Sequence, residues 1–289
     1  MALKQLIIPP EADGMRIDLV IKRYLPELSD ITVRSAFSHR DVKLDRLRVQ
    51  QNTRVSEGQQ LSVYYMANIP EEALEIVYED DDILLVNKRA GISVEQDKGS
   101  GVSLTELCRR HTLTADPEAS FPAACHRLDI KTSGICVFAK NADAFDILND
   151  VFRRRSLEKY YECIVRGMMK PPSAECHAFL LKDPEQARVS IYDHPVTGSK
   201  PIVTAYETLE NGPVSRLRVH LITGRTHQIR AHLAALGHPI LGDDVYGDRS
   251  FNRSYKARSL RLCAVSLTLD TQGRLPALDG VKFSISPPF

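Results

Sequence analysis

Two stretches of this 289-residue chain concentrate side chains that could do chemistry. The first is His126-Arg127-Leu128-Asp129-Ile130-Lys131-Thr132-Ser133-Gly134, a polar loop running straight into the apolar residues from Ile135. It gathers a histidine, two cations, one carboxylate and two hydroxyls beside a glycine that permits tight turning. A loop fixed at the start of a core strand can hold Asp129 rigidly at a cleft, with Arg127, Lys131 or a distant arginine keeping it ionised. On local pattern, a plain turn in which Asp129 caps Thr132 or Ser133 accounts for the same residues.

The second stretch is Thr223-Gly224-Arg225-Thr226-His227-Gln228-Ile229-Arg230-Ala231-His232, followed by Gly237-His238-Pro239-Ile240-Leu241-Gly242-Asp243. With Arg216, Arg218 and His220 just upstream, it holds four arginines and three histidines within seventeen residues, and no acid lies between Arg216 and Ile240. Such a patch could pair with phosphates, helped by N–H donors where a helix starts near Thr226. A solvated helix face is the alternative. A metal site built from His227, His232 and His238 fits poorly, because spacings of five and six do not stack ligands on one helix face.

The elements that must position these loops follow from periodicity. Ile17, Val20, Ile21, Tyr24, Leu25 and Leu28 recur at the spacing of one helix face, and Ser29 and Asp30 could cap a second helix running to Phe37. Val42 and Leu44, then Leu61, Val63 and Tyr65, alternate as strands do. From Ala67 to Asp82 the chain turns acidic around Pro70, which reads as a linker or domain entry and places a domain boundary near residue 70. Beyond it, strands are expected at 83–86, 134–139, 161–165, 215–221 and 262–269, with helices at 142–152 and 227–236. Runs of strands with occasional helices predict an α+β fold with a mixed, mostly antiparallel sheet at 71–289, preceded by a small α/β module at 1–70.

Composition narrows the class. The chain is 43% hydrophobic and 26% charged, with a net charge of +1, which excludes collagen-like and charge-expanded disordered proteins. That balance also excludes a protein that coats nucleic acid by bulk charge, so any nucleic-acid site must be a local patch. Six widely spaced cysteines with no CxxC pair, and no signal-peptide core or long apolar stretch, predict a cytoplasmic protein with reduced thiols. No GxGxxG or GxxxxGK[ST] loop follows any strand.

The sequence HRLDIKTSG resembles the HRLDxxTSG signature of the RluA-type pseudouridine synthases. VNKRAG, KYYECIVRG and GRTHQIRAHLAALGHPILGDDVYG are similar to that family's other motifs and occur in its order. The N-terminal RIDLVIKRYLPELSDITVRSAFSHRDVKL stretch resembles a small RNA-binding domain shared with a ribosomal small-subunit protein. Departures are Arg89 where the family usually has proline, Cys263 where it often has histidine, and Asp41, Asp45 and Arg46 at turns often built from Gly and Asn.

The resemblance implies isomerisation of uridine to pseudouridine in structured RNA, ribosomal or possibly transfer RNA, by a monomer that needs no cofactor and no metal. It implies that Asp129 is the catalytic carboxylate, that Tyr161 packs on the uracil, and that Arg225 pairs with Asp129. It also implies that Arg127 replaces the flipped base in the stack and that Leu262 lines the base pocket. His126, Thr132, Arg230 and Lys88, from the same motifs, are expected to contact the RNA. Other readings are a catalytically silent RNA-binding or ribosome-assembly factor, and a different Asp-dependent enzyme. A glycosidase wants two carboxylates and a nuclease wants a metal-binding acid cluster, whereas the HRLD loop supplies one acid.

Overall fold

The computed structural model describes residues 2–26, 28, 30–38, 40–65, 74–95, 102–115, 122–183 and 188–289. The chain divides into two compact units, one of residues 1–73 with 95–107 and the other of 74–94 with 108–289. The boundary expected near residue 70 lies outside the described residues, as does the expected cap Ser29.

The first unit contains β1 (Ala2–Ile7), α1 (Ile17–Tyr24), α2 (Asp30–Ser38), β2 (Val42–Leu44), β3 (Leu47–Arg48) and β4 (Gln60–Tyr65). Its four strands order β1-β4-β2-β3. The periodic residues Ile17, Val20, Ile21, Leu25 and Leu28 are buried with Val42, Leu61 and Val63, as the patterns predict. β1 was not anticipated; it pairs along its whole length with β4.

The second unit begins with β5 (Glu75–Glu79), β6 (Ile83–Lys88), the part of α3 (Leu104–Ala115) from Cys108 on, β7 (Ala123–Ala124), β8 (Ser133–Ala139) and α4 (Ala142–Arg154). It continues through β9 (Leu157–Arg166), β10 (Ser173–Asp183), β11 (Arg188–Tyr192), β12 (Lys200–Glu210), β13 (Val214–His220) and α5 (Gln228–Ala235), and ends in α6 (Arg249–Ser254), β14 (Leu262–Leu269) and β15 (Lys282–Ser284). The sheet order is β11-β10-β12-β13-β9-β14-β8-β6-β5, with β15 beside β14 and β7 beside β8. Every pairing is antiparallel except β14 with β8, which agrees with the expected mixed, mostly antiparallel α+β fold.

Part of the acidic stretch read as a linker is therefore strand. Glu75–Glu79 pairs with β6 at the sheet edge, where Glu75 stays in water and Glu79 is matched by Lys140 and His111. β8 is buried at all seven positions, as suits a strand near the middle of a sheet covered on both faces.

Two helices cover one sheet face and leave a gap between them. α4 buries Ala144, Leu148 and Val151 against Ile83, Leu85, Ile135 and Val137. Its first turn is capped by Asn141, whose Oδ1 accepts the Ala144 N–H at 2.8 Å. It ends at Arg155 in a left-handed conformation, φ 60°, which turns the chain into β9. α5 places Ala231 against Ala178, Leu180, Val189 and Ile202 of the far half of the sheet.

Candidate active site

The gap between the C-terminal end of α4 and the N-terminal end of α5 is a cavity of about 1000 Å³. Asp129, Tyr161, Arg225, Arg127, His126, Thr132, Leu262 and Arg230 all line it, so the structure gathers every candidate site residue except Lys88.

Asp129 sits in a tight turn. The Thr132 N–H donates to the Asp129 carbonyl at 3.0 Å, so the backbone closes the turn and the carboxylate is left for other partners. Gly134, two residues on, has φ +118°, and a Cβ there would lie 2.3 Å from the Ala264 carbonyl oxygen. No other residue type lets the turn enter β8 so close to β14.

The partner of that carboxylate differs from the expectation. Arg230 Nη1 donates to Asp129 Oδ2 at 3.1 Å, and its Nε and Nη2 grip the Asp243 carboxylate at 2.7 and 3.0 Å. Arg225 makes no ion pair with Asp129; its guanidinium lies exposed on the cavity wall. The reason is rotation about the helix. Arg225 precedes α5, on a loop pinned by Gln228, whose Oε1 accepts the Arg225 N–H at 3.1 Å and the Thr223 hydroxyl at 2.9 Å. Arg230 lies inside α5, where six consecutive residues from Gln228 to Leu233 are buried, and its side chain points inward.

Burial pushes the Asp243 carboxyl upward, but the Arg230 guanidinium and the N–H groups of Tyr246 and Val245 outweigh it and hold it below its ordinary range. Burial likewise works against the Arg230 cation and loses to Asp243 and Asp129, so its pKa rises. Arg230 is a fixed, permanently charged bridge between a buried acid and a reachable one, Asp129 being 24% exposed on its side chain.

His227 and Tyr246 are the residues that sequence reasoning missed here. His227 begins α5 in a left-handed conformation, φ 55°, with Nε2 3.8 Å from Asp129 Oδ2 and Nδ1 3.0 Å from the Tyr246 hydroxyl oxygen. That strain in a non-glycine residue at a cleft is a local marker invisible in composition. Burial, opposed by Asp129, lowers the imidazole pKa, which favours neutral His227.

Tyr161 projects from β9 and is 6% exposed; burial, with smaller contributions from Cys136 and Asp129, raises its phenol well above the usual value. Leu262 pairs with Cys163 across β14 and β9 and lies at the same end of the cavity. Thr132 is 3% exposed, and Arg127 is exposed.

Of the expected RNA contacts, Lys88 is corrected, while His126 lines the cavity and also has partners within the protein. His126 Nε2 accepts the Val137 N–H at 3.2 Å and its ring stacks on Phe152 with centroids 4.8 Å apart. Burial and the Lys159 cation push its pKa down to about 3, so it serves as a neutral prop for the strand. Lys88 is fully buried and donates to the carbonyls of Arg89, Ile92 and Ile130, out of reach of any RNA.

The basic patch is also redistributed. Arg216 pairs with Glu162 at 2.5 Å and with Glu210 at 3.7 Å, and Arg218 lies 3.6 Å from Glu162. These residues share the sheet face opposite Tyr161, because neighbours along β9 and β13 alternate. The cavity instead draws its charge from several elements: eight Lys and Arg line it against Asp129 and Asp244. Lys131 is held by Asp244 at 2.5 Å, while Arg127, Arg155, Lys159 and Arg225 have no carboxylate partner among the described residues. Among those residues there is also no cluster of three or more His, Cys, Asp or Glu able to hold a metal, and no helix long and apolar enough to cross a membrane.

A cavity with one half-buried carboxylate held by an arginine and with cationic walls, on a mostly antiparallel sheet, defines a class. Residues 82–235 match the family described as RNA pseudouridylate synthase, and the chain belongs to that family.

Its relatives are similar over nearly the whole length. It is 31% identical over 267 residues to the ribosomal large subunit pseudouridine synthase C of Escherichia coli K12, covering 87% of this chain and 82% of that protein. It is 33% identical over 257 residues to the ribosomal large subunit pseudouridine synthase D of Haemophilus influenzae, covering 84% and 76%. Among solved structures, human RNA pseudouridylate synthase domain containing 1 superposes with a TM-score of 0.62 at 28% identity, over 78% of this chain and 87% of that one.

Proposed function

We propose that this protein isomerises uridine to pseudouridine in ribosomal RNA of the large subunit, with Asp129 as the catalytic carboxylate. The observation that carries this reading is the fixed aim of Asp129. Of the two acids on the lining of a 1000 Å³ cavity, it is the half-buried one, held by Arg230, whereas Asp244 is exposed and pairs with Lys131. A single oriented carboxylate suits a reaction that cuts one bond and remakes another within one held substrate. The C1′–N1 bond breaks with its electron pair left on N1, the uracil turns, C5 bonds to C1′, and a proton leaves C5 while one is taken up at N1, so product and substrate are isomers. Asp129 acts on the sugar, either by attack at C1′ or by taking a sugar proton. Arg230 keeps the carboxylate aimed.

The names of the relatives, both ribosomal large-subunit enzymes, support the choice of RNA. Cations without carboxylate partners at the wall suit a phosphate backbone, and Arg127, exposed at the cavity, is placed to fill the stack that a flipped uridine leaves. Residues 1–70, which resemble the small RNA-binding domain and carry ten Lys and Arg against eight Asp and Glu over 1–65, add a weakly basic second contact.

The test is tritium release from large-subunit ribosomal RNA transcribed with [5-³H]uridine. Wild type should release tritium at discrete sites, and Asp129→Asn should lose about a thousand-fold or more of the rate while binding the RNA within a few-fold. An Asp129→Asn protein that works at the wild-type rate removes the assignment.

A further inference from the structure

We propose that His227 is a positioning residue for the reaction: its imidazole, held by Tyr246 as the Nε2–H tautomer, supports the same oxygen of Asp129 that Arg230 holds and leaves the other oxygen to act on the sugar. The inference rests on the reading of Asp129 as the catalytic carboxylate.

Two arms run from one buried acid to Asp129. In the first, Asp243 grips Nε and Nη2 of Arg230, and Nη1 of the same guanidinium donates to Asp129 Oδ2 at 3.1 Å. In the second, Asp243 Oδ1 accepts the Tyr246 N–H at 3.0 Å, the Tyr246 hydroxyl meets His227 Nδ1 at 3.0 Å, and His227 Nε2 lies 3.8 Å from Asp129 Oδ2. The arms also touch each other, since the Arg230 guanidinium lies over the Tyr246 ring, 5.4 Å from its centroid. Both end on Oδ2. Among the described residues no donor reaches Oδ1, so the geometry divides the carboxylate into an anchored oxygen and a free one.

The tautomer follows from the partners of Tyr246. Its hydroxyl oxygen accepts the Val189 N–H at 2.9 Å, which leaves the hydroxyl proton to donate, and His227 Nδ1 is within its reach. An Nδ1 that accepts a hydrogen bond puts the ring proton of a neutral imidazole on Nε2. The far side of the ring agrees, because an Nε2 lone pair turned toward a carboxylate is repelled and an Nε2–H is attracted. Burial, with Arg230 and Lys182, outweighs Asp129 and Asp243 and favours the neutral ring.

The backbone is bent to make this contact. His227 holds φ 55° where α5 begins, a conformation that is costly for a residue with a β-carbon, and its side chain is 18% exposed on the cavity wall. At 3.8 Å the pair is wider than a hydrogen bond, and it tightens when a bound nucleotide displaces water from the cavity, where a donor facing a carboxylate gains strength. Two donors on Oδ2 then fix the rotation of the carboxylate about its Cβ–Cγ bond, and that rotation is what directs Oδ1 at the sugar.

Two readouts test this, one of them independent of activity. In ¹⁵N-histidine spectra of the RNA-free protein at neutral pH, with the His227 signals identified by their loss in His227→Asn, the ring proton should sit on Nε2. The second readout is single-turnover tritium release, with RNA affinity, on an RNA that the wild-type protein modifies. Asn tolerates the left-handed backbone but is too short to reach Oδ2. His227→Asn should therefore lose about ten- to a hundred-fold in rate at saturating RNA, with affinity within threefold and unfolding temperature within a few degrees. Gln carries an N–H to roughly the place of Nε2, and His227→Gln should recover at least about fivefold of that loss. A ring proton on Nδ1, or a charged ring, overturns the proposal. So does a His227→Asn rate within twofold of wild type, or a loss that appears in affinity or unfolding temperature and not in rate. A folded His227→Gln no faster than His227→Asn overturns it as well; if His227→Gln does not fold, the tautomer and His227→Asn decide alone. Retained activity in Asp129→Asn would instead remove the catalytic assignment, and it leaves the tautomer readout untouched.

Discussion

The two faces of β9 and β13 use the same residue types to opposite ends. On the face away from the cavity, Arg216 and Arg218 are matched by Glu162 and Glu210, and the charge is spent within the sheet. On the cavity face, Lys159 and Tyr161 project from β9 into a space whose other cations come from the Asp129 loop, the end of α4 and the start of α5. Arg230 alone combines both habits, being matched by buried Asp243 and still offering one N–H to Asp129. Local density of arginine in the sequence therefore does not mark where unmatched positive charge gathers. What marks it is a cation with no acid within reach in the fold.

The largest break in this contrast is expected at Arg230. Arg230→Gln should remove the hydrogen bond that orients Asp129 and leave Asp243, whose side chain is fully buried, without its counter-charge. Uncompensated buried charge of this kind costs about 3–5 kcal/mol, and both unfolding temperature and tritium release should fall sharply. Arg216→Gln is the control on the other face: its guanidinium is a third exposed on the side chain, and activity should stay within about twofold. Equal losses in the two variants would mean that the faces do not differ in function.

How much of this was legible depended on where each feature lies along the chain. Strands 83–88, 133–139 and 262–269 announce themselves because they are covered on both faces and read as apolar runs. β5 did not, because an edge strand can carry Glu75 in water and Glu79 against distant Lys140 and His111, and so looks like a linker. β10 and β12 alternate Glu175, His177, Thr204 and Glu207 with apolar residues over eleven positions each, too polar to stand out. The Asp129 turn was readable as a motif, since its chemistry is local. The identity of its arginine was not, because Arg225 and Arg230 are separated only by how α5 is rotated against the sheet, and that follows from Gln228 bonding to Val203 and Thr204. Lys88 was misplaced for the same reason: a lysine ending an apolar strand looks solvent-bound unless the carbonyls waiting for it are seen.

Smaller effects should sharpen the contrast without abolishing activity. Arg225 is exposed on the cavity wall and has no carboxylate partner among the described residues. Arg225→Ala should weaken RNA binding and lower the slope of log affinity against log salt by about 0.7–0.9, the loss of roughly one phosphate contact. Arg218→Ala, on the far face beside Glu162, should leave that slope unchanged, and filter binding at four or five salt concentrations reads both. A reversed ranking would place the RNA on the opposite face.

The smallest effect is expected at Lys131, inside the Asp129 loop but already paired. Its side chain is 50% exposed and that of Asp244 is 56% exposed, so their 2.5 Å contact is a surface ion pair worth less than about 1 kcal/mol. Lys131→Ala frees Asp244 and leaves the Arg230–Asp129 hydrogen bond intact, so thermal stability should hardly move. RNA affinity should drop only slightly, because the variant removes a matched charge and uncovers a negative one at the cavity. If Lys131→Ala instead lost as much affinity as Arg225→Ala, the pairing seen here would be giving way to phosphate when RNA binds. The rule that an acid on the same side cancels a cation would then hold only for buried pairs such as Arg230 with Asp243.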